Sequence, residues 1–178
     1  MREPANEPRC RVVVGVSGDS CSLTALHRAA DEARMRGAEL WVVLAWQPVG
    51  GGLGRRSSAV PALYADCRSV AVERLRSILD TAFGAMKPGV TLAGLTVCGT
   101  AGAALVDVAR HSQDLLVVGT GKGGRLRRSL RPSVARYCLA HAPCPVLTVP
   151  PSPLEADLAA AHRRNVWRIP LDTRELAE

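Results

Sequence analysis

The stretch from Asp114 to Val149, DLLVVGTGKGGRLRRSLRPSVARYCLAHAPCPVLTV, decides the fold. DLLVVG, Asp114 to Gly119, is an uninterrupted apolar run of the kind that forms a strand buried on both faces. It runs into GTGKGGRLRRSLRPS, Gly119 to Ser133, which packs four glycines and five cations into one connection. SVARYCLAHA, Ser133 to Ala142, then has helical spacing, with Pro132 suited to its first turn. PVLTV, Pro145 to Val149, is a second short apolar strand. Strand, helix and strand in this order form a βαβ unit, which demands parallel pairing and a right-handed crossover.

Toward the N-terminus the same alternation repeats. RVVVGV, Arg11 to Val16, reads as a buried strand, and Leu23, Leu26, Ala29, Ala30 and Ala33 recur at helical intervals after it. Ser20 or Ser22 is expected to cap that helix, and Gly37 to end it. AELWVVLAW, Ala38 to Trp46, is the second strand, and PVGGGLGRRSS, Pro48 to Ser58, has the composition of a mobile loop. A second helix is predicted from about Pro61 to Phe83, with Leu63, Cys67, Val70, Ala71, Leu75, Ile78 and Leu79 on its inner face. VTLAGLTVCG, Val90 to Gly99, supplies a third strand. Ala101 to His111 supplies a third helix, with Leu105, Val108 and Ala109 inward. The order β-α-β-α-β-α-β-α-β predicts an α/β protein: a three-layer, doubly wound, mainly parallel five-stranded sheet of Rossmann-like type. Residues 1–10 read as an N-terminal extension, 11–150 as one domain, and 151–178 as a linker, short helix and tail whose Trp167, Ile169 and Leu171 are expected to pack on their own domain.

Composition narrows the function. At 178 residues and 47% hydrophobic, the chain suits one core. Its formal net charge of +7 predicts affinity for anions, while 3% aromatic content and no basic run interleaved with aromatics argue against nucleic acid. No apolar leader or spanning stretch is legible, so the expected location is the cytoplasm, with no membrane contact. Cys10, Cys21, Cys67, Cys98, Cys138 and Cys144 form no C-x2-C pair and are expected to be reduced, small buried hydrophobes. Histidines and cysteines show no metal-binding spacing, and no Ser-His-Asp or paired-carboxylate arrangement is legible. The chain is therefore expected to bind rather than catalyse.

In a doubly wound sheet ligands sit beyond the carboxyl ends of the strands, where the winding reverses. The candidate loops follow the first and fourth strands: Ser17, Gly18 and Asp19 in one, and Gly119, Gly121, Lys122, Gly123, Gly124, Arg131 and Ser133 in the other. Gly119, Gly121 and Gly124 spell G-x-G-x-x-G, but the dinucleotide fingerprint belongs to the first strand of its unit and wants an acid about 20 residues on. Lys122 is followed by Gly123, so the G-K-[ST] phosphate loop is absent.

A third pattern fits. VVVGVSGDSCSLTALHRAADEARMRGAEL, VCGTAGAALVDVARHSQDLLVVGTGKGG and SVARYCLAHAPCPVLTVP, in this order and spacing across Arg11 to Pro150, resemble the universal stress protein family. That resemblance implies a regulatory, stress-response module, binding of ATP with Mg, and a homodimer paired through the last strand, with a protein partner as the alternative use of the dimer surface and tail. The family's ATP motif, G-x2-G-x9-G-[ST], starts here at Gly119 and places Lys122 and Pro132 at the next two glycine positions and Ser133 at the hydroxyl. Starting at Gly121 matches Gly124 but then meets Val134 and Ala135. The acid that ATP-binding members tend to carry after strand one is Ser17 here. Lysine does not readily adopt positive φ and proline lacks an N–H, so side-chain cations would have to replace backbone amides as phosphate ligands.

Overall fold

Consecutive residues of a strand face opposite sides of a sheet, so a strand covered on both faces must be apolar at every position. The computed structural model, which describes residues 10–48, 60–84, 88–120, 133–152 and 157, shows this at Val12, Val13 and Val14, all fully buried. These lie in β1 (Arg11–Gly15), the middle strand of a five-stranded sheet ordered β3-β2-β1-β4-β5. The others are β2 (Glu39–Trp46), β3 (Leu92–Cys98), β4 (Leu115–Gly119) and β5 (Val146–Val149). Every pairing is parallel. The glycine-rich connection from residue 49 to 59, residues 121–132, and nearly all of the tail beyond Ser152 lie outside the described residues.

Among the described residues four helices, α1 (Ser20–Arg36), α2 (Val60–Phe83), α3 (Ala101–Val108) and α4 (Val134–His141), make the crossovers. Val12, Val14, Leu40, Val42, Leu115 and Val117 meet Leu26, Ala29, Ala33, Leu75 and Ile78 of α1 and α2 on one face. Val13, Val43, Leu116 and Val118 meet Leu105 of α3 and Ala135 and Cys138 of α4 on the other. The period-two alternation thus feeds two cores. At Gly15 a Cβ would lie 2.7 Å from a methyl group of Leu105, so any larger residue there would have to displace the Leu105 side chain.

Several expectations are corrected locally. Asp19, rather than Ser20 or Ser22, caps α1: its carboxylate accepts from the Ser22 N–H at 2.7 Å, and a carboxylate serves the helix dipole better than a hydroxyl. Val70 is 69% exposed because it lies on the outer stripe of α2 with Arg74 and Ser77, while Ala71, Leu75 and Ile78 face inward. The third helix ends at Val108, short of His111. There the Asp114 carboxylate, turned back out of the strand, accepts from the His111 N–H, and Arg11 donates to the Val108 carbonyl. Cys21, Cys138 and Cys144 are buried as expected and Cys67 is half-buried, but Cys10 and Cys98 stand at strand ends and are exposed; all six are free thiols.

Candidate functional site

The order β3-β2-β1-β4-β5 places the reversal of winding between β1 and β4, since α1 and α2 lead to one side of β1 and α4 to the other. Beyond β1, Ser17 is exposed and its carbonyl accepts from Arg74 of α2 at 2.6 Å. Gly18 has φ +82 and lies against Ile78, a conformation that favours glycine. Its N–H donates to Ser22 Oγ at 3.2 Å, and that hydroxyl donates to the Asp19 carbonyl at 2.8 Å. The SGDS loop is therefore a tightly bonded helix entry. Gly119 also has a structural task, because a Cβ there would come 2.9 Å from the Cys21 carbonyl oxygen, where β4 passes the first turn of α1. Gly121, Lys122, Gly123, Gly124 and Arg131 lie outside the described residues.

An open cavity of about 550 Å³ lies at the same end of the sheet, displaced toward β2 and β3. Its described lining comprises Ala45, Trp46 and Gln47 from the end of β2, and Gly99 to Gly102 at the start of α3. Ser133, Val134 and Tyr137 at the start of α4 complete it. Ser133 is the one residue that both the sequence and this lining single out among the described residues; Ser17, Gly18, Asp19 and Gly119 are not part of the wall.

The chemistry of the wall is that of a receptor for hydrogen-bond acceptors. The first turns of two helices open into it, presenting backbone N–H groups and the positive ends of two helix dipoles. Thr100 occupies the N-cap of α3 in an extended conformation but makes no side-chain capping bond. Ser133 caps α4 only loosely, accepting from the Arg136 N–H at 3.5 Å. No described lining residue carries a charge. Gly102 lets α4 approach, since a Cβ there would sit 2.6 Å from the Tyr137 ring, and Tyr137 is backed by His141 stacked at 4.2 Å.

Trp46, Gly99, Thr100, Gly102 and Tyr137 were not singled out by sequence reasoning. A usable signal was present, because they fall at the ends of the second and third strands and the starts of the third and fourth helices, where ligands gather in such sheets. In addition, two of only six aromatic residues in the chain meet in this one wall. Among the described residues no cluster of His, Cys, Asp and Glu could hold a metal ion, and no helix is long and apolar enough to cross a membrane.

A parallel, doubly wound sheet with an uncharged cavity at its carboxyl edge defines a Rossmann-like α/β domain. Residues 9–150 match the model of the universal stress protein family, and the chain belongs to that family. A solved structure of a universal stress protein in complex with cAMP is 26% identical, with a TM-score of 0.53 over 81% of this chain and 98% of that one. The universal stress protein UspA from Lactobacillus plantarum, 20% identical, shares the fold with a TM-score of 0.54 over 81% of this chain and 99% of its own. A search of the curated proteins found no match.

Proposed function

We propose that this chain is a regulatory module of the stress response that works by binding a nucleotide at the carboxyl edge of its sheet. The observation that carries this reading is the cavity of about 550 Å³ onto which α3 and α4 open their first turns, with no carboxylate in its described lining to repel an anion. Family membership and the cAMP complex of a 26% identical relative support the same ligand class. ATP with Mg is the leading candidate. The basic run Lys122 to Arg131 immediately precedes the α4 cap in the chain, which suits a triphosphate better than a neutral ligand.

The role is binding rather than catalysis, exercised in the cytoplasm by a homodimer paired through β5. That strand is an edge of the sheet, and Val146, Leu147 and Thr148 are only half-buried in the single chain. Calorimetric titration with Mg·ATP and with cAMP at physiological salt tests the nucleotide reading, after mass spectrometry has shown that no nucleotide co-purified. Micromolar affinity for either supports it. A well-folded, empty protein that gives no heat with both overturns it and favours a module that recruits a protein partner.

A further inference from the structure

Tyr137 stands in the cavity wall at the end of the first turn of α4, and it is 39% exposed. Two neighbours fix its ring. The root of the side chain lies against α3, because a Cβ on Gly102 would come 2.6 Å from Cδ1 and 2.8 Å from Cγ. One face is covered by His141, with centroids 4.2 Å apart and planes at 16°. The His141 ring is tied to the same turn, its Nδ1 lying 2.9 Å from the Tyr137 carbonyl oxygen, which makes Nδ1 the donor. With the root and one face covered, the exposed part of the residue is the far end of the ring, which carries the hydroxyl. That hydroxyl has no hydrogen-bond partner among the described residues. Packing of α4 on α3 accounts for the ring but not for the hydroxyl, since a phenylalanine would make the same contacts. A phenol held in one orientation at a cavity wall can both donate and accept there without first losing conformational freedom.

We propose that Tyr137 is a specificity-determining residue of the nucleotide site, its hydroxyl hydrogen-bonding the nucleoside end of the ligand and taking no part in holding the phosphates. The phosphates are drawn instead to the basic run Lys122 to Arg131, which precedes the Ser133 cap of α4 in the chain. Tyr137 lies a turn further along the helix, where the described wall carries no charge. This rests on the nucleotide reading and adds to it the residue that reads the uncharged part of the ligand.

The chain has two tyrosines, Tyr64 and Tyr137, so the full chain isotope-labelled at tyrosine Cζ gives two resonances by NMR. Either Tyr64→Phe or Tyr137→Phe assigns them. Saturation with Mg·ATP or with cAMP is expected to move the Tyr137 resonance, and inorganic tripolyphosphate to leave it in place. Tyr137→Phe keeps the ring and removes only the hydroxyl. In calorimetric titration it is expected to weaken the nucleotide about fivefold and tripolyphosphate less than about twofold. A Tyr137 resonance unmoved by a nucleotide that binds, or moved as far by tripolyphosphate, overturns the proposal and leaves nucleotide binding intact. Undiminished nucleotide affinity in Tyr137→Phe, or equal losses for nucleotide and tripolyphosphate, does the same. A wild type that binds neither nucleotide overturns the nucleotide reading, and this inference falls with it. Should Tyr137→Phe not fold, the resonance decides, with Tyr64→Phe supplying its assignment.

Discussion

Arg11 and Asp114 lie 103 positions apart and meet as a two-pronged ion pair, at 2.9 and 2.6 Å, on the amino edge of the sheet. Asp114 is 3% exposed, and its carboxylate also takes the His111 N–H, while the Arg11 guanidinium covers the Trp41 ring at 4.5 Å. Arg11→Met strands a buried charge and should cost about 3–5 kcal/mol in urea unfolding, with part of the loss recovered by adding Asp114→Asn. Full stability in Arg11→Met would show that Asp114 is held by other means. Two buried thiols set a second residue-scale expectation. Burial, and then the neighbouring Cys144, push the Cys138 thiol up to about 11 from its ordinary 9.0; burial and the negative charge of Asp114 raise Cys144 as well. A thiol that stays protonated in the folded state while the unfolded chain ionises contributes stability below about pH 9, and that contribution is lost as the pH climbs toward 11. Thermal melts should therefore fall more steeply with pH between 9 and 11 in the wild type than in Cys138→Ala. Parallel slopes would show that the thiol does not ionise differently in the two states.

At the scale of the element, each described helix and strand was legible, because each carries either a run of β-branched residues or apolar positions at helical intervals. The ends were less so. Where the third helix stops depends on Asp114 and Arg11, partners brought by tertiary contact, and periodicity is blind to them. Val70 follows half-buried Cys67 by three residues, but the buried stripe of α2 runs through Ala71, Leu75 and Ile78, which leaves Val70 on the outer side with Arg74 and Ser77. Strand β5 bears the clearest element-scale prediction. Among the described residues it has a strand neighbour on one side only, so its outer edge is open to pairing beside half-buried apolar side chains. Leu147→Glu should give monomer or aggregate by light scattering, and a clean dimer in that variant would refute pairing through this edge.

Over the whole molecule, the family match ends at Pro150, one residue beyond the strand that closes the sheet. Deleting residues 154–178 should leave cooperative thermal unfolding, and its loss would show that the tail belongs to the core. The sequence by itself determined the alternation of elements, the parallel sheet and the family, because hydrophobic periodicity is local and chain order constrains crossovers. It also pointed to the carboxyl end of the sheet as the ligand edge. Only the tertiary structure decided which residues at that edge share a cavity. Ser17, Gly18, Asp19 and Gly119 turned out to be engaged in loop bonding, capping and close backbone approach, while Trp46, Thr100, Tyr137 and Ser133 came together from separate segments of the chain. The reason is physical: a cavity is made where elements distant in sequence fail to fill the space between them, and that depends on helix placement and side-chain volume rather than on any local pattern.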